Sequence, residues 1–437
     1  MSKRITRRDF LRGTALGGAG LIILRDSRLA FGSTANDKLN IACIGSGGKG
    51  HSDIQGCASQ NIVALCDVDD RRAAGAYKDY PDVPKFRDFR RMLDKMHHRI
   101  DAVIVSTPDH THAVAALMAM EMGKHVYCQK PLTHSIYEAR LMRDTARKMK
   151  VATQMGNQGT ASNSMRESVE IIRSGALGDV REVHVWSNRP VWPQGMSRPT
   201  ETPPVPKELA WDLWLGPAEK RPYHESYLPF IWRGWKAFGT GAVGDMGCHT
   251  LNMPFMALNL VDPISVHAEV FEATDESYPK RSIIHFTFPK RGDLAPCTLT
   301  WYDGGLKPKD ESILMGRELP GSGCVVIGDT GRLYAADDYG GSHILMPQEK
   351  FADYQLPAPT LPRSPGHYEE WIRACKGGEK AMSNFDYATA LTETALLGNL
   401  AVLTEEPIYW DPERMRAINC PKAEQFVNTT SRRGWEL

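Results

Sequence analysis

Gly45, Gly47 and Gly50 stand at the spacing Gly-x-Gly-x-x-Gly in Gly45-Ser46-Gly47-Gly48-Lys49-Gly50, directly after the apolar run Leu39-Asn40-Ile41-Ala42-Cys43-Ile44. A strand that ends in such a turn and feeds a helix can cradle a pyrophosphate. The first glycine makes the tight turn, the second bares the backbone to the phosphates, and the third lets helix pack on strand. Gly48 and Lys49 then open the helix whose N–H groups face the anion. Roughly twenty residues on, a second apolar run ends in Cys66-Asp67, where a carboxylate can accept from a ribose 2′-OH. Together these residues predict a dinucleotide site. Asp67 favours NAD, because its charge repels a 2′-phosphate, whereas Arg71 and Arg72 leave NADP as the alternative.

Three further groups could act beside such a cofactor. Thr107-Pro108-Asp109-His110-Thr111-His112 follows an apolar run, at the strand end where α/β sheets present ligand contacts. Thr107, Pro108, His110 and His112 are candidates to touch the cofactor; Asp109 or Thr111 can equally cap a helix. Two histidines beside an aspartate also suggest a metal, but a set this local lacks a distant third ligand, and no metal is expected. Lys130 follows the apolar run His125–Cys128, so burial should disfavour its ammonium form and suit it to take a hydroxyl proton. Oxidising a secondary alcohol needs such a base while hydride leaves the same carbon. Asp245 and His249 stand four apart, on one face if this stretch is helical, so the aspartate could orient the imidazole and stabilise its protonated form. The plainer alternatives are a surface lysine, a helix cap and a structural histidine.

The elements that must position these groups follow from the hydrophobic rhythm. Residues 39 to about 157 alternate short apolar strands (Asn40–Ile44, Ile62–Asp67, Ala102–Ser106, His125–Cys128, Ala152–Met155) with helical stretches such as Ala113–Met122 and Ser135–Lys148. That predicts a Rossmann-type doubly wound parallel sheet over 38–157. From Val180 strands dominate: Val180–Ser187, Ile264–Ala273, Arg281–Phe288, Cys297–Trp301, Cys324–Gly328, Arg332–Ala335 and His343–Met346. They predict an α+β domain over 158–437, with a large, mostly antiparallel or mixed open sheet. Arg189–Lys207 and Asp303–Gly323 read as long loops, and helices near His367–Lys376 and Ala388–Leu403 close the chain.

These motifs resemble the glucose–fructose oxidoreductase / inositol dehydrogenase / MocA family over nearly all of the chain after the leader. The resemblance rests on the glycine turn, Thr107–His112, His125-Val126-Tyr127-Cys128-Gln129-Lys130-Pro131-Leu132 and Gly244-Asp245-Met246-Gly247-Cys248-His249. It implies that Lys130 acts on the substrate hydroxyl, that Pro131 follows a cis bond, and that Asp245 and His249 complete the catalytic set. The family usually has Glu where this chain has Gln129. Losing that carboxylate eases a base role for Lys130 or shifts proton work to His249. Gln129 and Lys130 are also expected near the cofactor. Some relatives of this kind are glycosidases that oxidise C3 transiently, eliminate the glycoside and return the hydride.

Trp211-Asp212-Leu213-Trp214, Tyr223-His224-Glu225-Ser226-Tyr227 and Trp232-Arg233-Gly234-Trp235 form an aromatic stretch with interleaved donors. Core packing accounts for several of these rings. The pattern also suits carbohydrate, whose C–H faces stack on aromatics, and His224, Tyr227 and Arg233 are candidate substrate contacts. Gln154, Asn157 and Gln158 follow the last strand of the first domain; Asn157 is expected toward the cofactor and Gln158 toward the substrate.

The N-terminus reads Thr6-Arg7-Arg8-Asp9-Phe10-Leu11-Arg12, then a Gly/Ala/Leu-rich run from Gly13 to Leu24 and a Ser33-x-Ala35 exit. That is a twin-arginine leader over 1–35, which predicts export of a folded protein to the periplasm. A cofactor carried along would have to be held tightly and recycled in place. Net charge is +1 with no basic block after the leader, so nucleic acid is not an expected partner. No later segment reads as a membrane span. The nine cysteines are scattered without a Cys-x-x-Cys and read as buried thiols. The reading is therefore an exported NAD(P)-dependent oxidoreductase acting on a secondary hydroxyl of a sugar, glycoside or cyclitol, as a homo-dimer or tetramer. An NAD-dependent glycosidase and a non-catalytic sugar- or partner-binding protein are the alternatives.

Overall fold

A computed structural model describes residues 38–437; the leader lies outside the described residues. The first sheet comprises β1 (Asn40–Ile44), β2 (Asn61–Cys66), β3 (Lys85–Phe86), β4 (Ala102–Val105), β5 (His125–Cys128) and β6 (Thr153–Met155). Its order is β3-β2-β1-β4-β5-β6 and all neighbours are parallel. Every residue of β4 is buried, as expected where helices cover both faces of a sheet. Those helices include Lys49–Gly56, Asp70–Asp79, His112–Glu121 and Ile136–Met149. Local chemistry fixes their starts: Asp69 accepts from Arg71 N, and Ser135 and Glu138 form a capping box. The strand order reverses between β1 and β4, so the turns after these two strands flank a crevice.

The second sheet contains β7 (Val180–Trp186), β8 (Ser265–Phe271), β9 (Arg281–Phe288), β10 (Cys297–Tyr302), β11 (Gly323–Gly328), β12 (Arg332–Ala335) and β13 (Ile344–Met346). Its order is β13-β12-β11-β7-β10-β9-β8; neighbours are antiparallel except β7 with β10. The sheet is therefore mixed, as the strand-rich second half predicted. One face, with Val183, Ile284, Phe286, Leu299 and Trp301, shares a core with helices that cover it. On the other face Trp186, Ile283, Tyr302, Val325 and Tyr334 are packed against Ile313 and Leu314. The long loop expected over Asp303–Gly323 is thus a cover for the sheet, with a short 3₁₀ turn at Glu311–Leu314.

Two late helices return to the first sheet. His367–Cys375 places Trp371 in the core beneath Ile41, Leu65 and Tyr127. Phe385–Thr404 is apolar around most of its circumference and is packed against the helix Ile136–Met149, the helix Gly241–Thr250, β6, β8 and β9. All nine cysteines are unpaired, and eight are buried. Burial pushes thiols such as Cys43, Cys128 and Cys324 up, which leaves them unreactive. No helix among the described residues is long and apolar enough to cross a membrane.

Candidate active site

A cleft of about 560 Å³ opens at the reversal of strand order, large enough for a small-molecule ligand. The first sheet contributes Gly45, Gly47, Gly48, Lys49, Asp67, Thr107, Pro108, Gln129 and Lys130; the second half contributes Gln158, Arg233, Asp245 and His249. These predicted residues do meet in one place.

The glycine turn needs its glycines. Gly45 has φ +80°, and a Cβ there would lie 2.5 Å from the Ser106 carbonyl oxygen. A Cβ on Gly47 would come equally close to the Arg72 oxygen, and one on Gly50 would overlap the Gly45 carbonyl. Gly48 starts the following helix at φ 55° with no side-chain cap, which leaves its amino end to an anion. Asp67 closes the turn from the next strand: its carboxylate accepts from Ser46 N at 2.9 Å and from Gly47 and Asp69 N at 3.0 Å. Burial nevertheless outweighs these N–H groups and pushes its carboxyl up to about 6. The buried Thr107 Oγ1 faces the same cleft with no partner among the described residues. A bare turn, an uncapped helix start, a ribose-height carboxylate and an unsatisfied hydroxyl fit a dinucleotide.

At the other end Lys130 Nζ donates to Asp245 Oδ1 at 2.7 Å and to the Asp245 carbonyl at 2.9 Å. Arg233 Nε donates to the same Oδ1 at 2.9 Å, while its guanidinium lies over the rings of Trp232 and Phe230 at 4.3 and 4.5 Å. The two cations hold the Asp245 carboxyl well below the usual carboxylate range despite burial. Lys130 therefore sits against a carboxylate, not in the apolar surroundings expected of it. Its bond to Pro131 is cis.

His249 lies one helical turn from Asp245 on the helix Gly241–Thr250, but the aspartate is spent on the two cations and makes no hydrogen bond to it among the described residues. The expected Asp–His pair is corrected to an Asp–Lys–Arg cluster beside a separate histidine. His249 is packed edge-on against Tyr339, and its Nδ1 is buried without a partner among the described residues. Burial first, then the Lys130 charge, keeps the imidazole neutral well below its ordinary range. Asp109, deep in the cleft wall, accepts from Thr240 Oγ1 at 2.7 Å, and burial lifts its carboxyl to about 7.

Several predicted contacts lie elsewhere. The ring nitrogens of His110 lie 3.2 and 3.1 Å from the carbonyls of Phe238 and Trp214, and those of His112 2.9 Å from the carbonyls of Pro131 and Thr107; each neutral ring donates its single N–H to one of its two carbonyls. They tie the loop to its neighbours and lie off the cleft lining, which corrects the expected cofactor contacts. Arg71 is locked to Asp69; its neighbour Arg72 is the one on the cleft wall. Asn157 is buried against Ser383 and the Cys248 carbonyl. Tyr227 belongs to an aromatic core with Trp235 and Phe238, and His224 caps the turn at Ser226. Those three lie off the cleft lining, whereas Gln158 and Arg233 are on it. Sequence reasoning also missed residues. Asp53 is wholly buried and collects Ser106 Oγ at 2.7 Å, Gln129 Nε2 at 2.9 Å, Tyr368 OH at 2.8 Å and Lys49. The i, i+4 spacing of Lys49 and Asp53 was its one local signal. Arg189, Trp192 and Tyr339 also line the cleft, from loops whose approach no spacing foretold.

Residues 39–157 match the family model of the GFO_IDH_MocA oxidoreductases, NAD-binding Rossmann fold, and 165–437 match that family's C-terminal alpha/beta domain. The chain is 24% identical over 241 residues to a levoglucosan dehydrogenase of Pseudarthrobacter phenanthrenivorans, covering 51% of this chain and 53% of the relative. It is 28% identical over 211 residues to a glycosyl hydrolase family 109 protein of Saccharopolyspora erythraea, covering 41% and 45%. Matches to such curated relatives thus span about half of their length or less. Among solved structures, the aldose-aldose oxidoreductase of Caulobacter crescentus, complexed with glycerol, superposes with a TM-score of 0.56 at 16% identity. That superposition covers 85% of this chain and 100% of the other, and at this identity it speaks for the fold alone.

Proposed function

This chain belongs to the Gfo/Idh/MocA oxidoreductase family, with an NAD-binding Rossmann domain, and on that premise we propose that it oxidises or reduces a secondary hydroxyl of a sugar, glycoside or cyclitol. The observation that carries the reading is the meeting of Lys130, Asp245 and His249 in the same cleft as the glycine turn. NAD bound along the turn would supply or accept the hydride at the carbinol carbon. Gly45, Gly47, Gly48, Asp67 and Thr107 are the residues that would hold it.

The chain's own groups handle the oxygen. Asp245 fixes the Lys130 ammonium at the cleft wall, where it can donate to the reacting hydroxyl and stabilise negative charge on that oxygen. His249, kept neutral, can accept the hydroxyl proton, and the reverse transfer serves reduction. Gln129, turned toward Asp53, leaves Lys130 with Asp245 as its carboxylate partner. Trp192, Phe230 and Trp232 line the cleft with aromatic surface suited to a sugar ring.

Export of a cofactor-loaded chain would call for a closed redox cycle. The Arg7-Arg8 leader favours transport of the folded chain to the periplasm, where hydride would return to a second sugar or to the same one. The breadth of the second sheet favours a homo-oligomer. Denaturing mass spectrometry of the purified protein tests whether a dinucleotide travels with it. Incubation with aryl glycosides and no added cofactor then separates the chemistries: oxidised sugar supports the oxidoreductase, and released aglycone without net NADH supports the glycosidase, toward which the family 109 relative points. If Lys130→Ala and His249→Ala leave the protein's function unchanged, the catalytic reading fails.

A further inference from the structure

The substrate half of the cleft carries more cations than it balances. Lys130 and Arg233 share a single carboxylate, that of Asp245. Arg189, in the loop after β7, adds a third cation to the wall. Its guanidinium donates to Asn188 Oδ1, and its ion-pair partner, Asp338, stands off at 3.9 Å. Asp338 is outside the cleft lining, and its buried Oδ1 has no partner among the described residues. The carboxylate thus pairs with the guanidinium only at the edge of ion-pair range, without a close hydrogen bond. Asp109, its carboxyl lifted to about 7 by burial, answers only part of the remainder near neutrality. Three cations against two full carboxylates and one part-protonated carboxyl leave this wall net positive.

Arg189 lines the same cleft as Lys130, Tyr339 and His249. The Tyr339 ring lies 4.9 Å from the ring of His249. A group bound at Arg189 therefore shares the cleft with the hydroxyl that His249 and Lys130 address.

We propose that Arg189 anchors a carboxylate of the substrate, so that the cleft takes a sugar acid of the uronate type in preference to the neutral sugar. A carboxylate matches the planar guanidinium fork and neutralises one charge, whereas a phosphate monoester, near −2 at neutral pH, overshoots the excess. The inference rests on the sugar-oxidoreductase reading and adds the charge of the substrate to it.

The test compares methyl glycosides with the corresponding methyl glycuronides in the gluco, galacto and manno series, which differ only in CH₂OH against COO⁻. Binding to the holoprotein is followed by calorimetry and saturation-transfer NMR, which need no turnover. The expected result is that at least one glycuronide binds about tenfold or more tightly than its neutral partner. Arg189→Met should bring that ratio close to one, and Arg189→Lys should keep part of it. Equal or better binding of the neutral glycoside throughout overturns the proposal, and the wild-type protein alone gives that answer should a variant not fold. An Arg189→Met that weakens both partners alike also overturns it. The underlying reading fails separately, if sugars of neither class are oxidised or reduced while binding is retained.

Discussion

Gln129 Nε2 donates to Asp53 Oδ2 across 2.9 Å, inside the protein and directly behind the lysine of the cleft. A buried carboxylate needs donors, and Asp53 has the Ser106 and Tyr368 hydroxyls, Lys49 and this amide. The family's usual glutamate at this position would set a second carboxylate against it. The amide is thus explained by its neighbour on the first helix. Gln129→Glu should destabilise the protein by about 2 kcal/mol or more through like-charge repulsion and a lost donor. Asp53→Asn in the same chain should recover much of the loss. Thermal melts of the two single variants and the double variant decide it: additive losses would show that the residues do not act on each other.

Asp67 makes nucleotide affinity depend on pH. Its ionised carboxylate is the form that accepts from ribose hydroxyls, and burial has lifted it to about 6. NADH should bind fully above that value and weaken as pH falls through it, over the window from about 7 to 5. Asp67→Asn should bind weakly at every pH and show a flatter profile. Titration of NADH fluorescence at constant ionic strength reads both; a profile in the variant as steep as in wild type would assign the dependence to another group.

Lys130, Asp245 and Arg233 should behave as one unit. Asp245→Asn leaves two largely buried cations facing each other, and is expected to cost roughly 3 kcal/mol of stability. Lys130→Met should leave NADH binding in place while lowering turnover by about a hundredfold or more. The double variant should lose less than the sum of the two, because each single change strands the other partner. Chemical denaturation and steady-state kinetics on the four proteins supply the cycle, and strict additivity would refute the coupling.

Buried histidines and buried carboxyls pull stability in opposite directions with pH. His110 and His112 are held down to about 3 and about 4, so their contribution is complete above the ordinary imidazole value and is lost as pH falls. Asp109 and Glu138 are lifted to about 7; theirs is complete below the ordinary carboxylate range and is lost as pH rises through 7. NMR should show neither His110 nor His112 titrating between pH 8 and 5. Asp109→Asn should gain on wild type, on the order of 2 kcal/mol, between pH 5 and pH 8. A constant difference between the two proteins over that range would place the carboxyl outside the titrating set.

The elements were easier to read than the contacts. β1, β5, β9 and β12 have the predicted limits because each is a compact apolar run bounded by turn residues. β3, two residues long, carries no period to detect. The glycine turn and Asp67 were legible because backbone sterics demand those residue types at that spacing. His110 and His112 were misassigned for a related reason. An imidazole held between two carbonyls has the same letter as one that faces a ligand, and only the partners tell them apart. Asp245 was placed correctly in the cleft but given the wrong partner. Helical spacing brought it near His249, yet Arg233 and Lys130 come from distant segments that outbid a neutral ring for its charge. Arg189 and Tyr339 reach the cleft from loops, where approach is set by the whole fold.

The helix Phe385–Thr404 is packed against both sheets' elements and against the helix that bears Asp245 and His249. Tyr368, shortly before it, closes the hydrogen-bond shell of Asp53 beneath the glycine turn. A ribosome therefore cannot finish this site while making the first domain. Nascent chains stalled before residue 368 lack both the Tyr368 hydroxyl and this helix, so the partners of buried Asp53 and the packing behind Asp245 and His249 are completed only by segments translated almost last.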